Sequence, residues 1–222
     1  MRAVPILRRF AAREGGAMAV EFALLLPVIV LMFFSMVEIT DAILAKRRLG
    51  MASSILVDLT TNRADYWLHE DEAENLMALT EEILTPYDLT DVTVRLTAVT
   101  LDKSSKKPVI VWSLKSTPGA SVATATEAGY QPGDVFAQLD DRHYIATDQD
   151  IIEDGAHVIV GELFHPFVSQ MTSVAVNSYQ LTAQEVRRPR REDFLVYCTD
   201  AGCTDGDDWD ADEAVPDAIS VD

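Results

Sequence analysis

The chain has 222 residues and a formal net charge of −18. This length is enough for one membrane helix and one modest soluble domain. Residues 192–222 contain eleven Asp or Glu and no Lys or Arg, whereas residues 1–16 contain four Arg and one Glu. Because a chain this acidic lacks the basic surface that nucleic-acid binding requires, we expect no nucleic-acid partner.

The first predicted element is a basic leader over residues 1–16, which ends in Gly15-Gly16. Its arginines precede the first apolar segment, which favours a cytoplasmic N-terminus with the rest of the chain outside. The Lys-Arg-Arg sequence at residues 46–48 lies beyond the other end of that segment and weakens the charge argument. The leader is closer to the uncharged stretch, so we predict that the N-terminus is cytoplasmic. The leader arginines are Arg2, Arg8, Arg9 and Arg13.

The second predicted element is a long apolar helix over residues 17–62. Its first 23 residues, 17–39, are long enough to cross about 30 Å of hydrocarbon. No small-residue cleavage site follows Val37, so we predict that the segment is retained rather than removed as a secretory signal. Apolar residues at close to helical spacing, without proline, continue from Ile39 to Asn62. The helix is therefore expected to extend beyond the bilayer.

Glu21 is a charged residue at the start of this apolar segment, and it lies five residues after Gly16. A carboxylate at this depth is unfavourable in lipid and indicates a function. Two interpretations remain open from the residues alone. The carboxylate either pairs with a cationic group during assembly or extends to the membrane interface without a specific partner.

Residues 63–191 are predicted to form a soluble α+β domain. Acidic residues begin a short helix over residues 70–84, and Pro86 follows its end. Alternating apolar and polar residues then predict a half-buried strand, and three further strands follow it. Four strands with hairpin links favour a small antiparallel sheet covered by one or both helices. The predicted strands are 92–102, 108–115, 156–167 and 173–188.

The acidic tail, residues 192–222, is predicted to be disordered apart from a small loop closed by a Cys198–Cys203 disulfide. The alternative is two free thiols. Asp208, Asp210 and Asp212 match the first ligands of a calcium loop, but the required later Gly and Glu are missing, so we predict no metal site. No catalytic or cofactor-binding motif is present, and we expect neither an enzyme nor a cofactor.

Several segments together resemble one family. The leader, Gly16, the start AMAV, Glu21-Phe22 and LLLP resemble the N-terminus of TadE-like proteins, the pseudopilins of the tight-adherence (Tad, Flp-type) pilus assembly system. ILTPYDLTDVTVRLTAVTLD, VIVWSLK, HVIVGELFHPF and EVRRPRR resemble the periplasmic part of such proteins. The chain departs from the major pilins in carrying Phe22 after the glutamate and in having a soluble domain. These departures indicate a minor or accessory pseudopilin involved in pilus assembly and surface adhesion.

The resemblance implies a pilin-like protein anchored in the bacterial inner membrane, with its C-terminal domain in the periplasm. A prepilin peptidase would cut between Gly16 and Ala17, unless Gly16 is only a flexible residue before the helix. Glu21 would then set subunit register by pairing with the new amine of a neighbouring subunit. Its partners would be the peptidase, other Tad pilins and pseudopilins, and the assembly platform. The alternative is an unprocessed single-pass membrane protein whose periplasmic domain binds a ligand or partner.

Overall fold

A computed structural model describes residues 15–85, 87, 92–102, 107–116, 130–136, 156–167, 179–190, 194–199 and 202–204. These residues form two helices and seven strands, which confirms the predicted α+β class with a long N-terminal helix, a short helix and antiparallel sheet. They fall into two compact units. The first is the helical segment 15–44, and the second comprises the described residues from Ala45 onward.

The helices are α1 (Gly15–Thr61) and α2 (Glu70–Leu84). The strands are β1 (Trp67–His69), β2 (Thr93–Leu101), β3 (Pro108–Ser116), β4 (His157–Phe167), β5 (Tyr179–Arg187), β6 (Val196–Thr199) and β7 (Gly202–Thr204). The bounds of α2 and of β2 to β4 agree with the prediction to within one residue. Residues 173–178, predicted as the start of β5, lie outside the described residues.

In the first unit, α1 exposes its large apolar side chains instead of burying them. Met18, Leu24, Leu31 and Met32 are all more than half exposed, and similar side chains cover the whole segment. The hydroxyl of Ser35 donates to the backbone oxygen of Leu31 at 2.8 Å, so this polar group is satisfied within the helix. The helix is long and apolar enough to cross a membrane, as predicted.

In the second unit, residues 45–61 of α1 pack against the sheet. Ala52, Leu56 and Val57 are buried along this face. Gly161 in β4 permits a close approach, because an added Cβ would lie 2.4 Å from Cγ2 of Val57. The hydroxyl of Ser53 also donates to the backbone oxygen of Gly161 at 2.9 Å. Residues 45–61 of the long helix therefore cover one face of the sheet, as expected.

The main sheet has four antiparallel strands in the order β3-β2-β4-β5. The face opposite α1 carries a second apolar core, in which Phe136 packs over the strands. The segment 130–136, which lies between the predicted strands 108–115 and 156–167, pairs with the edge of β3 through a bridge between Val135 and Val109. The buried members of this core are Val99, Ile110, Phe136, Val158 and Val160.

A three-stranded sheet in the order β1-β6-β7 was not predicted. Strand β1 pairs in parallel with β6, which pairs with β7 in a hairpin. The predicted Cys198–Cys203 disulfide is confirmed, and it joins directly opposed residues of β6 and β7. Val196 and Tyr197, which belong to the segment predicted as the acidic tail, are buried. Residues 205–222, with the three aspartates at 208, 210 and 212, lie outside the described residues.

Candidate functional site

The predicted processing site lies within α1, which the structure describes from Gly15 onward. Gly15 and Gly16 come directly before the predicted scissile bond between Gly16 and Ala17. Glycine disfavours helix by about 1 kcal/mol relative to alanine. The two glycines therefore make the backbone beside this bond easier to unwind into a protease.

Glu21 lies one helical turn after Ala17, on an exposed surface. Residues four apart lie on the same face of a helix, and helical side chains lean toward the N-terminus. The carboxylate is therefore directed toward the N-terminal end of α1. Among the described residues, no hydrogen bond or ion pair satisfies the Glu21 carboxylate. Its surroundings are the exposed apolar side chains of Met18, Phe22 and Leu25.

The soluble domain contains a buried polar cluster that the sequence analysis did not identify. Glu162 on β4 lies between its register partners, Arg95 on β2 and Gln184 on β5. Nη1 of Arg95 lies 3.6 Å from Oε2 of Glu162, and Nε2 of Gln184 donates to Oε1 at 3.4 Å. The hydroxyl of Tyr130 donates to Oε2 at 3.4 Å, and its ring lies 4.2 Å from the guanidinium carbon of Arg95.

Burial decides the electrostatics of this cluster. The Glu162 side chain is 5% exposed, and desolvation raises the pKa of its carboxyl, while the neighbouring Arg95 charge opposes that increase. The donors around Glu162 all come from other segments of the same domain. The arrangement is that of an internal ion pair that ties three strands to the 130–136 segment. The only sequence signal for this cluster was a polar residue inside each of the three strands.

A second buried polar contact fixes the start of β6, and we call it the Leu195 clamp. The indole Nε1 of Trp112 donates to the backbone oxygen of Leu195 at 2.8 Å. The backbone N–H of Leu195 donates to Nδ1 of His157 at 3.0 Å. Burial lowers the pKa of His157 to about 4, and the backbone oxygen of Leu195, which lies 3.1 Å from Nδ1 and would accept from a protonated ring, partly opposes that shift. The Leu195 clamp therefore holds β6 to the main sheet with a neutral imidazole.

The Leu195 clamp predicts an acid-sensitive domain. His157 binds a proton more weakly in the folded state than in the unfolded state, whose pKa is near 6.5. The unfolded state therefore binds more protons between pH 6.5 and 4, and the free energy of unfolding falls as the pH falls through this window. A shift of this size corresponds to a loss of about 3 kcal/mol, complete below about pH 4. Denaturant unfolding of the chain in detergent at a series of pH values measures this loss.

The matched control for this prediction is His157→Gln, which keeps an acceptor for the Leu195 N–H but does not titrate. From pH 7 to pH 4, the free energy of unfolding of the wild-type chain should fall by about 3 kcal/mol more than that of the His157→Gln chain. Comparing the chains removes the contribution of Glu162, whose pKa is raised by burial and which is the same in both chains. Parallel pH profiles for the two chains would contradict the assignment.

Comparison with known proteins finds a family match for one part of this chain. Residues 16–55 match the family described as TadE-like protein, which confirms the predicted resemblance. The match includes Gly16, Ala17, Glu21, the membrane-type surface of α1 and the start of its packed part. It relates the chain to membrane proteins of Tad pilus systems. No curated protein and no solved structure matches this chain.

Proposed function

Because residues 16–55 match the TadE-like family, we propose that this chain is a minor or accessory pseudopilin of a Tad-type pilus system. It is anchored in the inner membrane by α1, with its N-terminus in the cytoplasm and its soluble domain in the periplasm. It acts in pilus assembly and, through the pilus, in surface adhesion. The observation that carries this proposal is the coincidence of the family match with an exposed apolar helix that bears Glu21 near its start.

Processing by a prepilin peptidase is the first step of the proposal. Hydrolysis of the Gly16–Ala17 amide adds one water, leaving a carboxylate on Gly16 and an ammonium on Ala17. Gly15 and Gly16 support this step, because they weaken the helix where a protease must extend the backbone on both sides of the bond. The small Gly16 also suits a narrow substrate site. The product retains the entire apolar segment and begins at Ala17.

Pairing of Glu21 is the second step. A lone carboxylate is unfavourable inside a bilayer, by about 2.5–3.5 kcal/mol on insertion scales. An ammonium on Ala17 of a neighbouring subunit compensates that charge and satisfies both groups. Because an unpaired carboxylate remains unfavourable, only the axial offset that joins the two groups is stable. Glu21 thereby fixes the register between adjacent helices.

The experiment that tests this function replaces Glu21 by Gln in a cell that makes the pilus and the peptidase. The variant should be processed normally but should co-purify with other Tad pilins and pseudopilins at least about tenfold less, because its amine partner loses a charged acceptor. Asp41→Asn is the matched control, since it removes one exposed carboxylate outside the leading part of α1. Equal recovery of the Glu21→Gln chain and the wild-type chain would favour the unprocessed, partner-binding alternative.

A further inference from the structure

Three consecutive cations, Lys46, Arg47 and Arg48, follow the apolar part of α1. The last exposed apolar side chains before them are Ile43 and Leu44, which are 50% and 45% exposed. These cations weaken the charge argument for a cytoplasmic N-terminus, because they lie on the opposite side of the apolar segment from the leader. The proposed function gives them no role. The chain has a net charge of −18, so it does not need these cations to be soluble. Their position therefore indicates a more specific role.

The three cations differ in their surroundings. Arg48 is half-buried; its guanidinium donates to the backbone oxygen of Thr85 and lies 5.6 Å from the ring centroid of Tyr87. Lys46 and Arg47 are exposed, and within the described ranges neither forms a hydrogen bond or an ion pair. Arg48 therefore belongs to the internal structure of the domain, and Lys46 and Arg47 are available to an external ligand.

The direction of the two exposed side chains limits the kind of ligand. Consecutive residues on an α-helix project about 100° apart. A partner helix contacts one face and would meet Lys46 or Arg47 but not both equally. A layer of lipid headgroups surrounds the helix and meets both. Ala45 and Leu49, buried on the domain side, leave these outward directions open.

The position along the helix fits the same ligand. Lys46 lies seven residues beyond Ile39, which is about 10 Å at 1.5 Å per residue. It lies two residues, or about 3 Å, beyond Leu44. The headgroup layer on each side of a bilayer is about 5–8 Å thick. Wherever the hydrocarbon ends between these two residues, the flexible side chains of Lys46 and Arg47 reach the level of the lipid phosphates.

We propose that Lys46 and Arg47 bind the phosphates of anionic phospholipids in the leaflet from which α1 emerges. The two cations hold the start of the packed part of α1 at the membrane surface. They also offset the repulsion between an acidic domain and an anionic surface. This inference concerns the chain alone in a bilayer and is independent of cleavage and of pilus assembly.

Spin-labelled lipids test the proposal on the full chain in phosphatidylcholine proteoliposomes. Electron paramagnetic resonance gives the fraction of spin-labelled phosphatidylglycerol, or of spin-labelled phosphatidylcholine, that is immobilised on the protein. We expect phosphatidylglycerol to associate about fivefold more strongly than phosphatidylcholine per cation engaged, equivalent to about 1 kcal/mol. Replacing both residues, Lys46→Gln with Arg47→Gln, should reduce the preference at least about fivefold.

The control is the double variant Lys107→Gln with Lys115→Gln, which makes the same change in net charge on the sheet domain. This control variant should show the same preference for phosphatidylglycerol as the wild-type chain. Inorganic phosphate added at millimolar concentration should leave the preference of the wild-type chain unchanged. All three chains retain the leader arginines, so their contribution is constant. An undiminished preference in the Lys46/Arg47 variant would overturn the proposal, as would an equal reduction in the control. Circular dichroism verifies that every chain tested is folded.

Discussion

Replacing Arg95 by Met should lower the free energy of unfolding of the soluble domain by about 3–5 kcal/mol. The substitution leaves the Glu162 carboxylate with its desolvation but without its charged partner. The Tyr130 ring also loses the guanidinium that lies 4.2 Å from its centroid. Denaturant unfolding at neutral pH, followed by circular dichroism in detergent, measures the change.

Arg63 provides a matched control for this prediction. Its side chain is 17% exposed, close to the 16% of Arg95, but its partners Asp65 and Glu72 are 56% and 44% exposed. Because solvent screens those carboxylates, Arg63→Met should cost only about 0–1 kcal/mol. Adding Glu162→Gln to Arg95→Met should recover part of the loss. Similar losses for the two arginine variants would contradict a buried ion pair.

Replacing Gly16 by Phe should abolish processing in cells that contain the prepilin peptidase. A large ring before the scissile bond does not fit a site selected for a small residue. The matched control is Gly16→Ala, which keeps a small side chain and strengthens the helix at this position by about 1 kcal/mol, so processing should slow at most about fivefold. Mass spectrometry of the purified chains gives the processed fraction. Complete processing of the Gly16→Phe chain would contradict the assigned site.

Most of the regular structure could be predicted because it leaves a periodic signal in the sequence. Helix α2 begins at Glu70 and ends at Leu84, as predicted from the acidic start and the proline that follows. Apolar and polar residues alternate too little in strand β4 to show which of its faces is buried. Its length and flanking residues were nevertheless sufficient to predict that it is a strand. The exposed apolar surface of α1 was predictable because an apolar run of this length is typical of a helix that crosses a membrane.

The β1-β6-β7 sheet could not be predicted for a physical reason. Strand β1 has three residues, too few to show a period, and its parallel partner β6 comes from the far end of the chain. What holds β6 in place is the Leu195 clamp, in which Trp112 and His157 bind backbone atoms. Backbone atoms of Leu195 give no signal in the side-chain sequence.

The candidate sites were predictable to different degrees. Gly16 and Glu21 were identified because a leader, a glycine and a glutamate at fixed spacing are local features. Glu162 was not identified, since a charged residue inside a strand usually indicates a solvent-facing position. Only the register of three strands shows that Arg95 and Gln184 flank it on one face.

Processing is tested most directly by the intact mass of the wild-type chain purified from cells with and without an active prepilin peptidase. We expect that the chain from peptidase-containing cells lacks residues 1–16 and begins at Ala17. The chain from cells without the peptidase should retain the leader. An identical N-terminus in both cells, at Met1 or at Arg2 after loss of the initiator methionine, would contradict the proposed function.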